Sequence, residues 1–197
     1  ADPAALAAEA RRPERPDRSQ RLRLDWDYTD PRGPERGEGV LRYNPPDSMR
    51  LDLFGPGDAS MSVALAGDGL RSVGQIEDVR LPPPPFLYAS AGLFRPGASS
   101  PDRGYRPDRD RVLLYAIRTG DTLSFRLRDG RIRRVEERRD GRLVREVELT
   151  WTEEGAWPSS AEYRDRERDS RARWEMEEAR VEGEPFPREI FDLPRSP

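Results

Sequence analysis

The sequence predicts a mainly β protein: a curved antiparallel sheet of roughly ten strands, with a short helix over its apolar face. Three observations point there. Apolar and charged residues alternate with a period of two through most of the chain, as on strands with one buried and one wet face. The alternating runs stop at Gly-Pro-Gly, Thr-Gly-Asp and Asp-Gly, which supply the positive φ angles of tight turns. One weakly charged stretch, 82–98, is left over. It opens on four prolines and closes on Pro96-Gly97.

Taken in order, residues 1–19 hold an Ala-rich turn followed by Arg, Pro, Glu and Asp. They read as a flexible leader or tether. The alternative is a docking helix at Ala4 to Arg11. From Gln20 onward a single domain is expected. Leu22, Leu24, Trp26 and Tyr28 alternate with Arg21, Arg23, Asp25 and Asp27, a half-buried strand. "TDPRGPERG" reads as a loop. "EGVLRYN", "SMRLDLFG" and "ASMSVALAGDG" are strands, with Leu51 and Leu53, then Met61, Val63 and Leu65, on one face. Asp68-Gly69 signals a hairpin, and "LRSVGQI" is a short strand. In 82–98, Phe86, Leu87, Leu93 and Phe94 form a short helical lid. "SSPDRGYRPDRDR" reads as a polar loop. "RVLLYAIRT", "DTLSFRLRDG", "RIRRVEERRDG", "RLVREVELTW", "SSAEYRDRERD" and "RARWEMEEARVEGE" follow as strands, and "PFPREIFDLP" closes the chain.

Composition narrows the chemistry. The 197 residues are 37% charged and 34% hydrophobic, with net charge −3. There is no Cys and no His, and all 35 basic residues are Arg. Disulfides, thiolate nucleophiles, imidazole bases and catalytic lysines are therefore excluded. No run approaches the ~20 apolar residues that span a bilayer. The chain starts at Ala1, and a secreted, processed precursor is expected.

An apolar sheet face must be covered. The 82–98 segment is too short to seal about ten strands. The inner face would then surround a partly empty concavity lined by Leu24, Trp26, Leu51, Leu53, Val63, Leu65, Phe86, Leu87, Leu93 and Phe94. An alkyl chain there gains ~0.8 kcal/mol per buried CH₂. The bland alternative is a small barrel filled by its own side chains. By strand alternation Phe54 points away from the concavity.

At this point the order of elements resembles a known family. Gly39, Leu41, Tyr43, Pro45, Arg50, Leu51, Leu53, Pro56 and Gly57 match its double strand. Pro158 resembles its late-strand proline, and Phe191 with Pro194 its closing motif. The chain is similar over most of 20–194 to the periplasmic lipoprotein carriers and receptors LolA and LolB and their mycobacterial lipid-carrier relatives. The resemblance implies a half-barrel with a helical lid, an acyl chain of a lipid or lipoprotein in the concavity, and a periplasmic or outer-membrane location. Two departures stand out: the family's long first helix is reduced to the turn near 4–10, and its lipid-bearing Cys is absent. An outer-membrane anchor would have to precede Ala1.

Rival functions have less behind them. An enzyme would have to work with carboxylates, Tyr, Ser and Arg alone, and no cofactor is implied. Asp102, Asp108 and Asp110 lack calcium-loop spacing, so no metal is expected. "RIRRVEERRDGR" interleaves Glu with Arg in a net-negative chain, which argues against nucleic acid. The main competitor is a scaffold subunit of an envelope complex, with its concavity filled and a protein partner, for which proline-rich 82–85 could be a contact.

Overall fold

Twelve strands, rather than roughly ten, are found among the described residues of the computed structural model, which are 2–10, 17–46, 48–66, 69–77, 79–97, 100–118 and 120–194. The chain runs α1 (Pro3–Ala10), β1 (Gln20–Asp30), β2 (Gly33–Asn44), β3 (Ser48–Phe54), β4 (Ser60–Ala66), β5 (Gly69–Gln75) and α2 (Pro84–Ser90). It continues through β6 (Arg103–Tyr105), β7 (Asp110–Arg118), β8 (Asp121–Arg128), β9 (Arg131–Arg139), β10 (Arg142–Trp151), β11 (Pro158–Asp165) and β12 (Ser170–Val181) to a 3-10 turn at Arg188–Phe191. The strands form an open antiparallel sheet in the order β5-β4-β3-β2-β1-β12-β11-β10-β9-β8-β7-β6. The fold class is the expected one, and the sheet is not closed into a barrel.

Contacts group the expected single domain into two compact units. One comprises 1–14 and 81–172, the other 15–80 and 173–197. Each is described by itself.

In the second unit, β1 to β5 form a meander whose register sets every side chain. Leu22 faces Leu41, Leu41 faces Leu51, and Leu51 faces Val63. Leu24 and Leu53 flank Gly39, and Leu53 also faces Met61. These apolar members are buried. The opposite face carries Arg23, Asp25, Arg42, Arg50, Asp52, Ser62 and Arg71. Phe54, at the end of β3, is on that charged face and 47% exposed, as alternation requires.

The "TDPRGPERG" loop is a correction. Only Pro31 and Arg32 turn, and pairing starts at Asp30 with Gly33. The Asp30 carboxylate accepts the Arg32 amide at 2.8 Å and its Nε at 3.0 Å, which closes the hairpin within two residues. Pro34 is tolerated in β2 because it pairs only with Thr29, beyond the last β3 partner at Glu38.

In the first unit, β6 to β11 form a second meander. Asp129-Gly130 and Asp140-Gly141 each have two positive φ angles, the hairpin geometry read from sequence. Thr119 and Asp68, in two other expected turns, lie outside the described residues. The polar loop expected at 99–111 contains a short edge strand, β6, paired with Val112–Leu114 of β7. α1 corresponds to the docking-helix alternative for the leader. Its Leu6 is buried, and a Cβ on Gly104 of β6 would come within 3.0 Å of the Leu6 Cδ1. Residues 11–16 of that leader lie outside the described residues.

Two glycines in β2 are required by packing. A Cβ on Gly37 would lie 1.8 Å from the Phe54 carbonyl oxygen and 2.8 Å from the Trp26 ring. A Cβ on Gly39 would meet only the Leu24 and Leu53 side-chain ends, at 2.8 and 3.0 Å. Backbone cannot yield as a leucine methyl can. Gly37→Ala is therefore expected to cost about 2–3 kcal/mol and Gly39→Ala about 1 kcal/mol. Urea midpoints at unchanged m-value check the order, and equal costs would contradict the close approach of Phe54 to β2.

Candidate functional site

Six of the ten candidate lining residues lie together in the second unit. Leu24, Trp26, Leu51, Leu53, Val63 and Leu65 share one face of β1 to β4, between 0% and 7% exposed. Trp26 is oriented by its indole N–H, which donates to the Glu38 carbonyl at 3.0 Å. Its ring lies over Gly37, so small β2 residues make room for a large β1 residue on the same face.

The other four belong to the first unit. Phe86 and Leu87 are on α2, Leu93 and Phe94 follow it, and all are at most 4% exposed. The helix starts after Pro83 and ends at Ser90, well short of Pro96-Gly97. Phe86 meets the Tyr163 ring edge-on at 5.5 Å, and Phe94 meets Phe125 at 4.9 Å and Tyr115 at 6.4 Å. These partners lie on the apolar face of β7 to β11, where Leu113, Phe125, Val135, Val147 and Tyr163 form one row by register. Within this unit the lid segment packs on its sheet, as expected.

The neighbouring row is unlike anything read from the sequence. It runs Tyr115, Leu123, Glu137, Arg145, Asp165. Three charges therefore share the face of the apolar row. Arg145 donates from Nε to Asp165 at 3.0 Å, from Nη1 to Glu137 at 2.9 Å and from Nη2 to Glu167 at 3.4 Å. Asp165 also accepts the backbone amides of Glu167 and Arg168, at 3.0 and 3.2 Å, and the Tyr163 hydroxyl at 3.4 Å. Burial opposes ionisation of Asp165, but the Arg145 bonds and the two amides outweigh it, and its carboxyl lies below the usual range. Burial, then the Asp165 charge, pushes the Tyr163 phenol up. The signal was present: Asp165 continues the alternation of Ala161 and Tyr163, and Arg145 that of Leu149 and Val147. Charges there are inward by parity alone.

Concavities also occur on the charged face of the second unit. One of about 480 Å³ is lined by Asn44, Ser48, Arg71, Arg188, Phe191 and Asp192, among others. It lies under the C-terminal segment. Asn44 Nδ2 donates to the Phe186 carbonyl at 2.8 Å, and Arg50 Nη1 to that of Ile190 at 2.9 Å. The buried Asp52 accepts from Arg42, from Arg50 Nε at 2.8 Å and from the Ser62 hydroxyl at 2.6 Å. This polar surface is opposite to the one bearing Leu51 and Leu53.

No family model matches the sequence, and no curated protein resembles it closely enough to count as a relative. Solved structures do resemble the fold. A LolA superfamily protein from Nitrosomonas europaea superposes with a TM-score of 0.60 at 11% identity, covering 98% of both chains. A DUF1329 family protein from Desulfovibrio piger gives 0.59 at 10% identity, again over 98% of both. A putative outer membrane lipoprotein-sorting protein domain from Vibrio parahaemolyticus gives 0.51 at 10% identity, over 96% of this chain and 95% of that one. The chain has a LolA/LolB-like fold.

The Arg145 cluster makes a pH prediction. Asp165 has a folded pKa below its ordinary 3.8, so its contribution to stability is complete above that value and is lost as the pH falls through the folded one. Asp165→Asn is expected to flatten the acid limb of urea stability measured between neutral pH and the onset of acid unfolding. Arg145→Met strands two buried carboxylates and is expected to cost about 3 kcal/mol at neutral pH. An acid limb unchanged in Asp165→Asn would show that Asp165 does not carry the dependence.

Proposed function

We propose that this protein is a non-catalytic carrier or receptor for the acyl chain of a lipid or lipoprotein in the cell envelope. The observation that carries the reading is the buried apolar face of β1 to β4 in a LolA/LolB-like open sheet. Leu24, Trp26, Leu51, Leu53, Val63 and Leu65 offer an alkyl chain an environment free of charge, while the lid residues Phe86, Leu87, Leu93 and Phe94 cover the apolar row of their own unit. The absence of His, Cys and Lys supports binding without turnover. The envelope location is supported by the neighbour described as a lipoprotein-sorting domain.

A second reading has one observation in its favour. None of the ten candidate residues is more than 7% exposed, so the apolar face of each unit is covered in this structure. A scaffold subunit with a filled concavity would look the same, whereas a carrier must open to load.

Native mass spectrometry of the purified protein, followed by organic extraction, is expected to show bound lipid. Titration with a fluorescent fatty acid is expected to saturate. Leu51→Glu places a carboxylate on the apolar face and is expected to weaken that binding by about tenfold or more. Arg23→Glu, on the opposite face, is expected to leave it within about twofold. Near-UV circular dichroism verifies that both variants remain folded, and Leu51→Ala serves if Leu51→Glu does not. Absence of saturable binding by the unsubstituted protein, or equal binding by folded variants of the two faces, would leave the scaffold reading.

A further inference from the structure

Positive charge is concentrated at one place in the first unit. Segments 103–111 and 126–133 contain eight arginines and three aspartates, in a protein of net charge −3. Strand pairing brings them together, since Asp110 faces Arg128, Arg111 faces Leu127, and Arg128 faces Arg131. They surround the turns at one end of β7, β8 and β9. Arg103, Arg106, Arg109, Arg126 and Arg128 are exposed.

Eight arginines against three aspartates leave the two segments net positive. Asp110 accepts Arg128 Nε at 2.6 Å and lies 3.9 Å from Arg126 Nε. A single carboxylate is thus shared by two arginines, with Arg133 also close enough to act on it electrostatically. Arg133 is the extra residue of a β-bulge, because Arg126 faces Arg134 while Leu127 faces Ile132. Its Nε is buried and has no hydrogen-bond partner among the described residues. Tyr105, on the edge strand β6, is 49% exposed beside this surface. Arg131 marks the boundary: it turns to the Thr152 and Glu153 carbonyls, where the acidic Glu153 and Glu154 begin.

We propose that this surface docks the protein on an anionic phospholipid bilayer. The inference rests on the acyl-carrier reading, since a carrier must meet the membrane that supplies or receives its cargo. Guanidinium forks match phosphate oxygens in pairs, and an exposed tyrosine suits the headgroup level. Arg126 and Arg128 lie on the side of β8 opposite Phe125, so docking leaves the apolar row undisturbed. Attraction to an anionic leaflet adds with each basic residue and is screened by salt.

The test is co-sedimentation with vesicles of phosphatidylcholine alone and vesicles rich in phosphatidylglycerol. The protein is expected to bind only the anionic vesicles and to dissociate as salt rises from roughly 50 to 500 mM. The triple variant Arg126→Gln, Arg128→Gln, Arg133→Gln is expected to lose about tenfold or more in vesicle affinity. Arg164→Gln with Arg171→Gln, outside the patch, is expected to bind as the unsubstituted protein does. The triple variant is also expected to keep its fatty-acid binding, so failure of the docking surface and failure of the carrier reading are separable. Equal vesicle binding by the triple variant, or none by the unsubstituted protein, would overturn the proposal. Binding to a DNA oligonucleotide that anionic vesicles do not displace would overturn it in favour of a nucleic-acid partner.

Discussion

Backbone pairing register is the constraint on which the rest depends. Side chains alternate with a period of two, so a slip of one residue would exchange the Leu22–Leu41–Leu51–Val63 row for the row Arg21, Arg42, Arg50 and Ala64. Fully burying each large apolar side chain is worth ~1.5–3 kcal/mol, which ties the register firmly to the hydrophobic effect. The space above Gly37, the exposure of Phe54 and the packing of Phe94 on Phe125 all follow from correct parity.

Using Arg for every basic residue gives the charged rows a particular character. Arg145 addresses three carboxylates with three different nitrogens, which a lysine ammonium could not do in the same plane. Such a cluster is a weak source of net stability, because desolvation offsets much of the attraction. It does discriminate between arrangements: any register that separates Arg145 from Asp165 and Glu137 leaves buried charges unpaired. The Arg42–Asp52–Arg50 group plays the same part on the opposite side of β3, where the C-terminal segment closes over it.

Strands with regular alternation and Asp-Gly turns were legible, and so were the common face of Leu51, Leu53, Val63 and Leu65 and the packing of the lid segment. The β1–β2 hairpin was not, because Pro31, Gly33 and Pro34 carry a loop signature. What overrides it is a side-chain bond from Asp30 that composition does not reveal. β6 is three residues long, too short for a period to show. The inward Glu137, Arg145 and Asp165 were missed because charge was equated with solvent. Parity placed them correctly, and their mutual pairing makes that position tolerable. The near-complete burial of the ten candidate residues was not legible at all, since it depends on how side chains fill space.

The last strand in the chain is not last in the sheet. β12 stands between β1 and β11, so β1, made first, acquires its second neighbour only when residues 170–181 exist. A growing chain can complete each meander by local hairpins, but it then holds two raw strand edges that must wait for a single late segment. Such long-range closure slows folding and leaves both edges open to wrong partners in the meantime. The kinetics of this fold should therefore be governed by the arrival of its C-terminal segment rather than by any hairpin, and a chain ending before Ser170 would present two unfinished sheets to whatever proteostasis machinery it meets.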